Sequence, residues 1–208
     1  METTRVSSRS ELGGVGLPLG RPVLVLVGGA DRMDVADVAD LERVLRELVP
    51  LLDARGAVVL DGGTDSGVMR AAGRARAAAG GRFPLVGVVV AELAGAVVPE
   101  PNHTHLVLVP GRRWGDEAPW LADLADVVAG AAPSLTVLAN GGAVAWEDAE
   151  HSVRRDRPLA VLRGTGRTAD EIAAGGEGRA AELAGSALTT VIEPGDLRAH
   201  VEGVFAAG

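Results

Sequence analysis

The sequence predicts a single α/β domain of the Rossmann-like, doubly wound type, with a mostly parallel sheet of about seven strands and helices on both faces. Short segments rich in β-branched residues recur along the chain and are mostly apolar throughout, as expected of strands buried on both sides of a sheet. Between several of them, apolar residues repeat at spacings of three and four, the period of an amphipathic helix. Strands that alternate with helices in this way favour parallel pairing.

Each element follows from its own local pattern. The predicted strands span residues 23–27, 57–60, 85–90, 106–109, 135–138, 159–162 and 188–192. Helical periodicity covers residues 35–52, 68–80, 121–128 and 146–153. Thr168 and Glu171 have the spacing of a capping box and predict the start of a fifth helix. The glycines at 175–178 predict a break, and Pro194 is placed to open the last helix.

The domain is predicted to span residues 21–208. Residues 1–20 combine Ser, Thr, Gly and scattered charge without an apolar run, so we expect a flexible N-terminal arm and no signal peptide. No apolar run approaches the roughly 18 residues that would span a bilayer, so we expect no membrane association and a cytoplasmic location. A length of 208 residues suits one domain, and no linker or repeat divides it.

Composition narrows the chemistry. The chain contains no Cys and no Lys, which excludes disulfides, thiolate metal sites, a phosphate-binding lysine and a lysine Schiff base. Any phosphate must therefore be held by backbone N–H groups, helix N-termini and arginines. The net charge of −8 and the aromatic content of 2% argue against nucleic acid as a partner. We expect a small-molecule nucleotide as the partner. The composition does not decide whether the protein forms a homo-oligomer.

Glycine-rich turns follow the predicted strands, where ligands bind in doubly wound sheets. The turn after the first strand, with Gly28, Gly29 and Ala30, lacks the G-x-G-x-x-G pattern of dinucleotide dehydrogenases but lets the backbone approach a ligand. The turn after the second strand is the sharpest signal, because its small residues and hydroxyls precede a helix N-terminus and suit an anion. Its candidate ligand-binding residues are Gly62, Gly63, Thr64, Ser66, Gly67 and Val68. An N-capped turn without a ligand is the alternative.

A histidine pair precedes the strand at 106–109. Asn102 and His103 are candidate ligand-binding residues, and His103 and His105 would point to one side of an extended chain, which permits metal binding. Because no third ligand is evident by spacing, a structural pair is favoured, and we expect neither a metal site nor a required cofactor. Further on, the acidic residues after Trp114, ending at Glu117, are interpreted as a helix cap.

Two later turns place polar groups beside glycines. Gly141 and Gly142 follow the strand at 135–138, and Glu147 and Asp148 come one to two helical turns later, suited to holding a ribose or to acid–base work. A solvated helix face is the alternative there. Arg167, in the turn after the next strand, suits bidentate phosphate contacts, with a surface arginine beside a loop as the alternative. The candidate ligand-binding residues of this last turn are Gly164, Thr165, Gly166 and Arg167.

Taken in order, these turns resemble the SLOG superfamily, in its prokaryotic branch (LSDAT) that is similar to the N-terminal region of TRPM cation channels. The resemblance rests on residues 62–69, 102–105, 140–142 and 164–170, and runs from about Arg21 to about Ala174. It implies a Rossmann-like fold that binds nucleotide derivatives, among them ADP-ribose. It also implies that Thr64 and its neighbouring glycines contact the ligand and that Arg167 pairs with a phosphate.

One segment is also similar to a sister branch, the cytokinin-activating phosphoribohydrolases sometimes labelled lysine decarboxylases, which carry P-G-G-x-G-T-x-x-E. Here Val144 and Ala145 replace the later Gly and Thr, and the carboxylate position falls on Asp148, with Glu147 beside it. We therefore expect binding or sensing of a nucleotide-derived ligand, ADP-ribose or NAD-like, without catalysis. Hydrolysis of a nucleotide N-glycosidic bond, with Glu147 or Asp148 as the catalytic carboxylate, is the alternative. A structural subunit of an assembly is a third.

Overall fold

The structure is a computed structural model that describes residues 1–30 and 32–206, and its framework is one sheet of eight strands. The strands are β1 (Glu2–Arg5), β2 (Val23–Gly28), β3 (Val58–Asp61), β4 (Leu85–Val90), β5 (His105–Val109), β6 (Ser134–Ala139), β7 (Leu159–Leu162) and β8 (Thr189–Ile192). They lie in the order β1-β5-β4-β3-β2-β6-β7-β8, and all neighbours pair in parallel. The seven predicted strands are confirmed within one residue at each end.

Helices cover both faces of the sheet, which confirms the doubly wound α/β fold. They are α1 (Val35–Arg55), α2 (Gly67–Ala78), α3 (Ala118–Ala129), α4 (Ala143–Arg154), α5 (Arg167–Ala173), α6 (Arg179–Ala184) and α7 (Leu197–Ala206). The apolar sides of α1, α2 and α7 form one core with one face of the sheet, and those of α3 to α6 form a second core with the other face. Within the described residues, no helix has the length and apolarity needed to cross a membrane.

The prediction of a flexible arm over residues 1–20 is wrong. β1 pairs with β5 at the edge of the sheet, where Glu2 lies opposite His105. The residues that follow contribute Leu12 and Val15, which are buried in the core beside α3. The apolar residues of this segment are too few and too irregularly spaced to show a period, so only the tertiary structure reveals their burial.

The helical elements after β7 differ in detail from the predicted ones. α5 begins at Arg167, directly after Gly166, so Thr168 lies inside the first turn and does not form the predicted capping box. Its hydroxyl instead donates to the carbonyl of Gly142, 3.3 Å away. The predicted break at the glycines of residues 175–178 is confirmed, and the short helix α6 that follows was not predicted.

The strand order reverses between β2 and β6. The chain runs outward from β2 through β3 and β4 on one side, and outward from β6 through β7 and β8 on the other. Such a reversal leaves a crevice at the carboxyl ends of the two central strands, where ligands bind in this class of fold. The four glycine-rich turns follow β3, β2, β6 and β7, which are adjacent in the sheet, so they share one edge.

Candidate functional site

A cavity of about 230 Å³ opens at this reversal point. Five of the predicted ligand-binding residues line it: Gly28, Ala30, Gly62, Thr64 and Ser66. Asp148, the alternative catalytic residue, lines it as well. Apolar side chains of the central strand and the surrounding helices, including Leu26, Met69 and Leu121, make up much of the remaining wall. The cavity therefore combines an apolar interior with a few polar groups, which is the usual character of a small-molecule site.

The turn after β3 presents hydroxyls to the cavity at the N-terminus of α2. The Thr64 and Ser66 hydroxyl oxygens lie 3.0 Å apart, and both side chains are half-buried. Ser66 is the residue before α2, but its side chain does not cap the helix. The positive end of the α2 dipole lies at this corner, which suits an anion, although the N–H of Val68 is already bonded to the Gly29 carbonyl.

Gly67 and Val68 join the two turns and do not reach the cavity. The N–H of Val68 donates to the Gly29 carbonyl at 2.9 Å, and the Val68 side chain is buried in the core. Gly67 has a φ of +47°, and a Cβ there would lie 1.9 Å from the Gly29 carbonyl oxygen. The predicted ligand contacts of these two residues are therefore replaced by packing between the turns.

Asn102 and His103 do not line the cavity. His103 is 3% exposed and stands between two buried carboxylates: Nε2 is 2.8 Å from Asp61 Oδ1, and Nδ1 is 2.9 Å from Glu100 Oε2. Asn102 donates its N–H and its side-chain amide to Glu100. The structure thus favours the structural alternative for this histidine, and within residues 1–30 and 32–206 no three His, Asp or Glu side chains are arranged to hold a metal ion.

The electrostatic consequence is a buried imidazolium. Burial alone would lower the pKa of His103, but the charge of Asp61 and the hydrogen bonds to Asp61 and Glu100 outweigh it and raise the pKa to about 9. Asp61 also accepts the N–H of Gly63 at 2.7 Å, and the N–H of Glu100 donates to the Gly63 carbonyl at 3.0 Å. The cluster of Asp61, Glu100 and His103 therefore fixes the turn that carries Thr64.

The glycines after β6 and β7 form an internal network at the edge of the cavity and do not line it. The Asn140 N–H donates to the Thr165 hydroxyl at 2.8 Å, and its side-chain amide donates to the Thr165 carbonyl at 2.7 Å. The carboxylate of Asp170 accepts the N–H groups of Gly164 and Gly166, at 2.6 and 3.1 Å. The N–H groups that were expected to attract a phosphate are thus already bonded to a carboxylate of the same chain.

Arg167 and the glycines after β6 lie at the junction of α4 and α5. Gly141 packs against Ala145 and Thr168, where a Cβ would come within 2.9 Å of both side chains. Arg167 is exposed, and a Cβ placed on Gly142 would lie 3.1 Å from its guanidinium. The arginine therefore sits beside the first residues of α4, outside the cavity itself.

Three carboxyl groups meet on the opposite side of the cavity. Glu117 and Asp148 line it, and Glu147 is exposed beside them. Burial, with the nearby charges of Glu117 and Glu147, raises the pKa of Asp148 well above its ordinary value. Burial also raises the pKa of Glu117, although its carboxylate accepts the Gly115 N–H at 2.8 Å. These groups retain protons at higher pH than free carboxyls, so they are able both to donate and to accept hydrogen bonds.

Sequence reasoning missed part of this wall. Trp114 and Glu117 reach the cavity from the segment before α3, and Val97 reaches it from the segment before β5. The acidic residues after Trp114 were interpreted as a helix cap, but no side chain among the described residues caps α3, and Asp116 accepts the N–H groups of Arg112 and Arg113 in the preceding loop instead. Trp114 and Glu117 follow strand β5, and that position was the signal that could have marked them as site residues. However, β5 is three strands away from β2, and only the fold shows that the segment returns to the centre of the sheet.

Solved structures of other proteins share this fold. The molybdenum cofactor carrier protein of Chlamydomonas reinhardtii superposes with a TM-score of 0.63 at 15% identity, over 89% of this chain and 99% of that one. The molybdenum cofactor binding protein of Rippkaea orientalis superposes with a TM-score of 0.62 at 12% identity, over 88% of this chain and 97% of that one. The protein TM1055 superposes with a TM-score of 0.55 at 25% identity, over 73% of this chain and 79% of that one.

Sequence comparison places the chain in a family. None of the curated proteins matches it significantly. The family model described as "SLOG in TRPM, prokaryote" matches residues 21–201, which is most of the chain. The protein therefore belongs to the prokaryotic branch of the SLOG family that is related to TRPM channels.

Proposed function

We propose that the protein binds a nucleotide-derived ligand, ADP-ribose or an NAD-like molecule, and does not convert it. The observation that carries this proposal is the cavity at the strand reversal, where the hydroxyls of Thr64 and Ser66 adjoin the N-terminus of α2. In a chain without Lys, these are groups that can hold a phosphate. The SLOG resemblance supports a nucleotide derivative, and the names of the structural neighbours support a small cofactor-like ligand more broadly.

Arg167 is proposed as a second phosphate contact, at the rim of the site. Its side chain is exposed and lies beside Gly142, at the start of α4. The cavity is smaller than the roughly 300–1,000 Å³ of pockets that enclose a whole drug-sized ligand. A dinucleotide-sized ligand would therefore extend beyond it, over the turns at the same edge of the sheet.

The residues at the start of α4 are the reason for proposing that the protein does not convert its ligand. Val144 lines the cavity and Ala145 is buried, at the two positions where the phosphoribohydrolase-like pattern has Gly and Thr. The side chain of Val144 covers backbone that a glycine would leave open, and Ala145 lacks the hydroxyl group that a threonine would supply.

A second candidate is hydrolysis of a nucleotide N-glycosidic bond. One observation favours it: Asp148 lines the cavity, and burial and neighbouring carboxylates raise its pKa. A carboxyl group with a raised pKa is suited to act as a general acid for a leaving base.

Calorimetric titration with ADP-ribose, NAD and AMP tests binding, and incubation with the same compounds tests turnover. Binding without release of free base or ribose phosphate is expected. Release that disappears in Asp148→Asn would instead establish the hydrolase, and a failure to bind any of the three would contradict the proposal.

Arg167→Ala tests the phosphate contact. A charge-assisted hydrogen bond is worth on the order of 1.5–3 kcal/mol, so the affinity should fall about tenfold to a hundredfold. The matched control is Arg163→Ala, which removes an exposed arginine of the same turn that pairs with Glu193. If both variants bind as the wild type does, Arg167 has no part in the site.

A further inference from the structure

The two sides of the cavity differ in charge. On the α2 side, Thr64 and Ser66 present hydroxyls beside a helix N-terminus, which favours an anion. On the opposite side, Glu117 and Asp148 present carboxyl groups, with Glu147 close by. A phosphate is favoured on the first side and repelled on the second as soon as a carboxyl ionises. The cavity therefore imposes a direction on any ligand that has one phosphorylated end.

Asp148 presents a half-buried carboxyl group to the cavity. Its side chain lies on α4 and faces the cavity. The raised pKa of its carboxyl comes from burial and from the charges of Glu117 and Glu147, with no contribution from a hydrogen bond to the described residues. Since this carboxyl faces the cavity and accepts no hydrogen bond from the described residues, a ligand that supplies a hydrogen-bond donor here gains affinity.

Trp114 gives the same end of the cavity a flat surface. Its side chain lines the cavity and is 50% exposed. The other two tryptophans lie on the helices and are each covered by a guanidinium: Arg9 is 5.2 Å from the Trp120 ring, and Arg179 is 5.4 Å from the Trp146 ring. An exposed indole beside a cavity is suited to stacking on a planar ring, an interaction worth about 1–3 kcal/mol for a base.

We infer that the cavity is the subsite for the heterocyclic ring of the ligand, an inference that rests on the proposed function. A planar ring that carries amino or N–H donors enters it, stacks on Trp114 and donates hydrogen bonds to Asp148 and Glu117. The phosphates lie at the opposite wall of the cavity, at Thr64, Ser66 and the N-terminus of α2, and extend from there towards solvent. The cavity volume of about 230 Å³ suits one end of a nucleotide better than the whole molecule.

The orientation can be tested by fluorescence in a Trp120→Phe, Trp146→Phe variant, in which Trp114 is the remaining tryptophan. Adenosine and ADP-ribose should quench its emission, and ribose 5-phosphate should bind without quenching it. Trp114→Ala should weaken adenosine and ADP-ribose at least fivefold and leave the affinity for ribose 5-phosphate unchanged, as measured by calorimetry.

The donor requirement is tested with AMP and purine riboside 5′-monophosphate, which differ by the amino group alone. The wild type should prefer AMP about tenfold, and Asp148→Leu should abolish the preference. Glu150→Gln, a change on the outer side of the same helix, should preserve it, because Glu150 pairs with Arg154 and Arg179.

The outcomes separate this inference from the proposed function. If ADP-ribose binds without changing Trp114 emission, and neither Trp114→Ala nor Asp148→Leu alters its affinity, the ring does not occupy the cavity and the inference is overturned while the function stands. If ADP-ribose, adenosine and ribose 5-phosphate all fail to bind, the proposed function fails, and the ring subsite fails with it.

Discussion

His103 should make the stability of the protein depend on pH in the alkaline range. Its pKa is about 9 in the folded protein, against 6.5 for an unperturbed histidine. Because the folded value is the higher one, the contribution to stability is complete below pH 6.5 and is lost as the pH rises through about 9. With 1.36 kcal/mol for each pKa unit, the loss amounts to about 3 kcal/mol of the free energy of unfolding. Deprotonation leaves Asp61 and Glu100 buried beside a ring that can donate to only one of them.

Urea denaturation at pH values from 6 to 10 measures this loss. The chain suits the experiment because it has no Lys, Tyr or Cys, so few other side chains titrate in this range. His103→Gln should be less stable than the wild type at pH 6 and should show a much weaker dependence on pH. His200→Gln is the control: His200 lies on α7, its pKa is lowered by burial alone, and its replacement should leave the slope above pH 7 unchanged.

Two results would refute this reasoning. One is a wild-type unfolding free energy that stays constant from pH 7 to pH 10, which would mean that the buried imidazole is not charged. The other is a His103→Gln variant that retains the wild-type slope, which would assign the titration to a different group.

Three further predictions concern other parts of the molecule. Asp148→Asn should stabilise the fold increasingly as the pH rises, because a carboxyl with a raised pKa loses stability on ionising, and melts at pH 5 and pH 8 compare the two conditions. Leu12→Ala should cost about 2–5 kcal/mol by urea denaturation, since Leu12 is 1% exposed. Gly67→Ala should abolish ADP-ribose binding and lower the melting temperature, because its Cβ would overlap the Gly29 carbonyl. An unaltered free energy of unfolding for Leu12→Ala, or an unaltered melting temperature for Gly67→Ala, would contradict the packing described for that residue.

The strands were predictable because their signal is local. Buried parallel strands are continuous apolar segments, and β4 and β7 are found at the predicted residues. β1 was not predictable, because its four residues, Glu-Thr-Thr-Arg, carry no apolar pattern and owe their conformation to pairing with β5. Pairing across such a distance in sequence depends on the tertiary fold and leaves no periodicity in the segment itself.

The position of the candidate site was predictable, but its composition only partly so. The rule that ligands lie at the carboxyl ends of parallel strands placed the glycine turns at one edge, and Thr64 and Ser66 do line the cavity. Glycine patterns, however, do not distinguish a turn that approaches a ligand from one that approaches another turn. Gly67 is of the second kind. Trp114 was missed for a related reason, since a half-exposed tryptophan acquires meaning only from the cavity beside it.

The first strand also covers an edge of the sheet that would otherwise be open to pairing with another strand. β5 carries the sequence His-Leu-Val-Leu-Val, and without β1 its unpaired N–H and carbonyl groups would form an apolar edge open to a strand from another molecule. β1 covers that edge with a short strand of charged and hydroxyl-bearing residues, and β8 ends the other side of the sheet with two threonines and partly exposed side chains. Shortening the chain by its first six residues would therefore be expected to lower solubility sooner than it would disturb the cavity, which lies at the centre of the sheet.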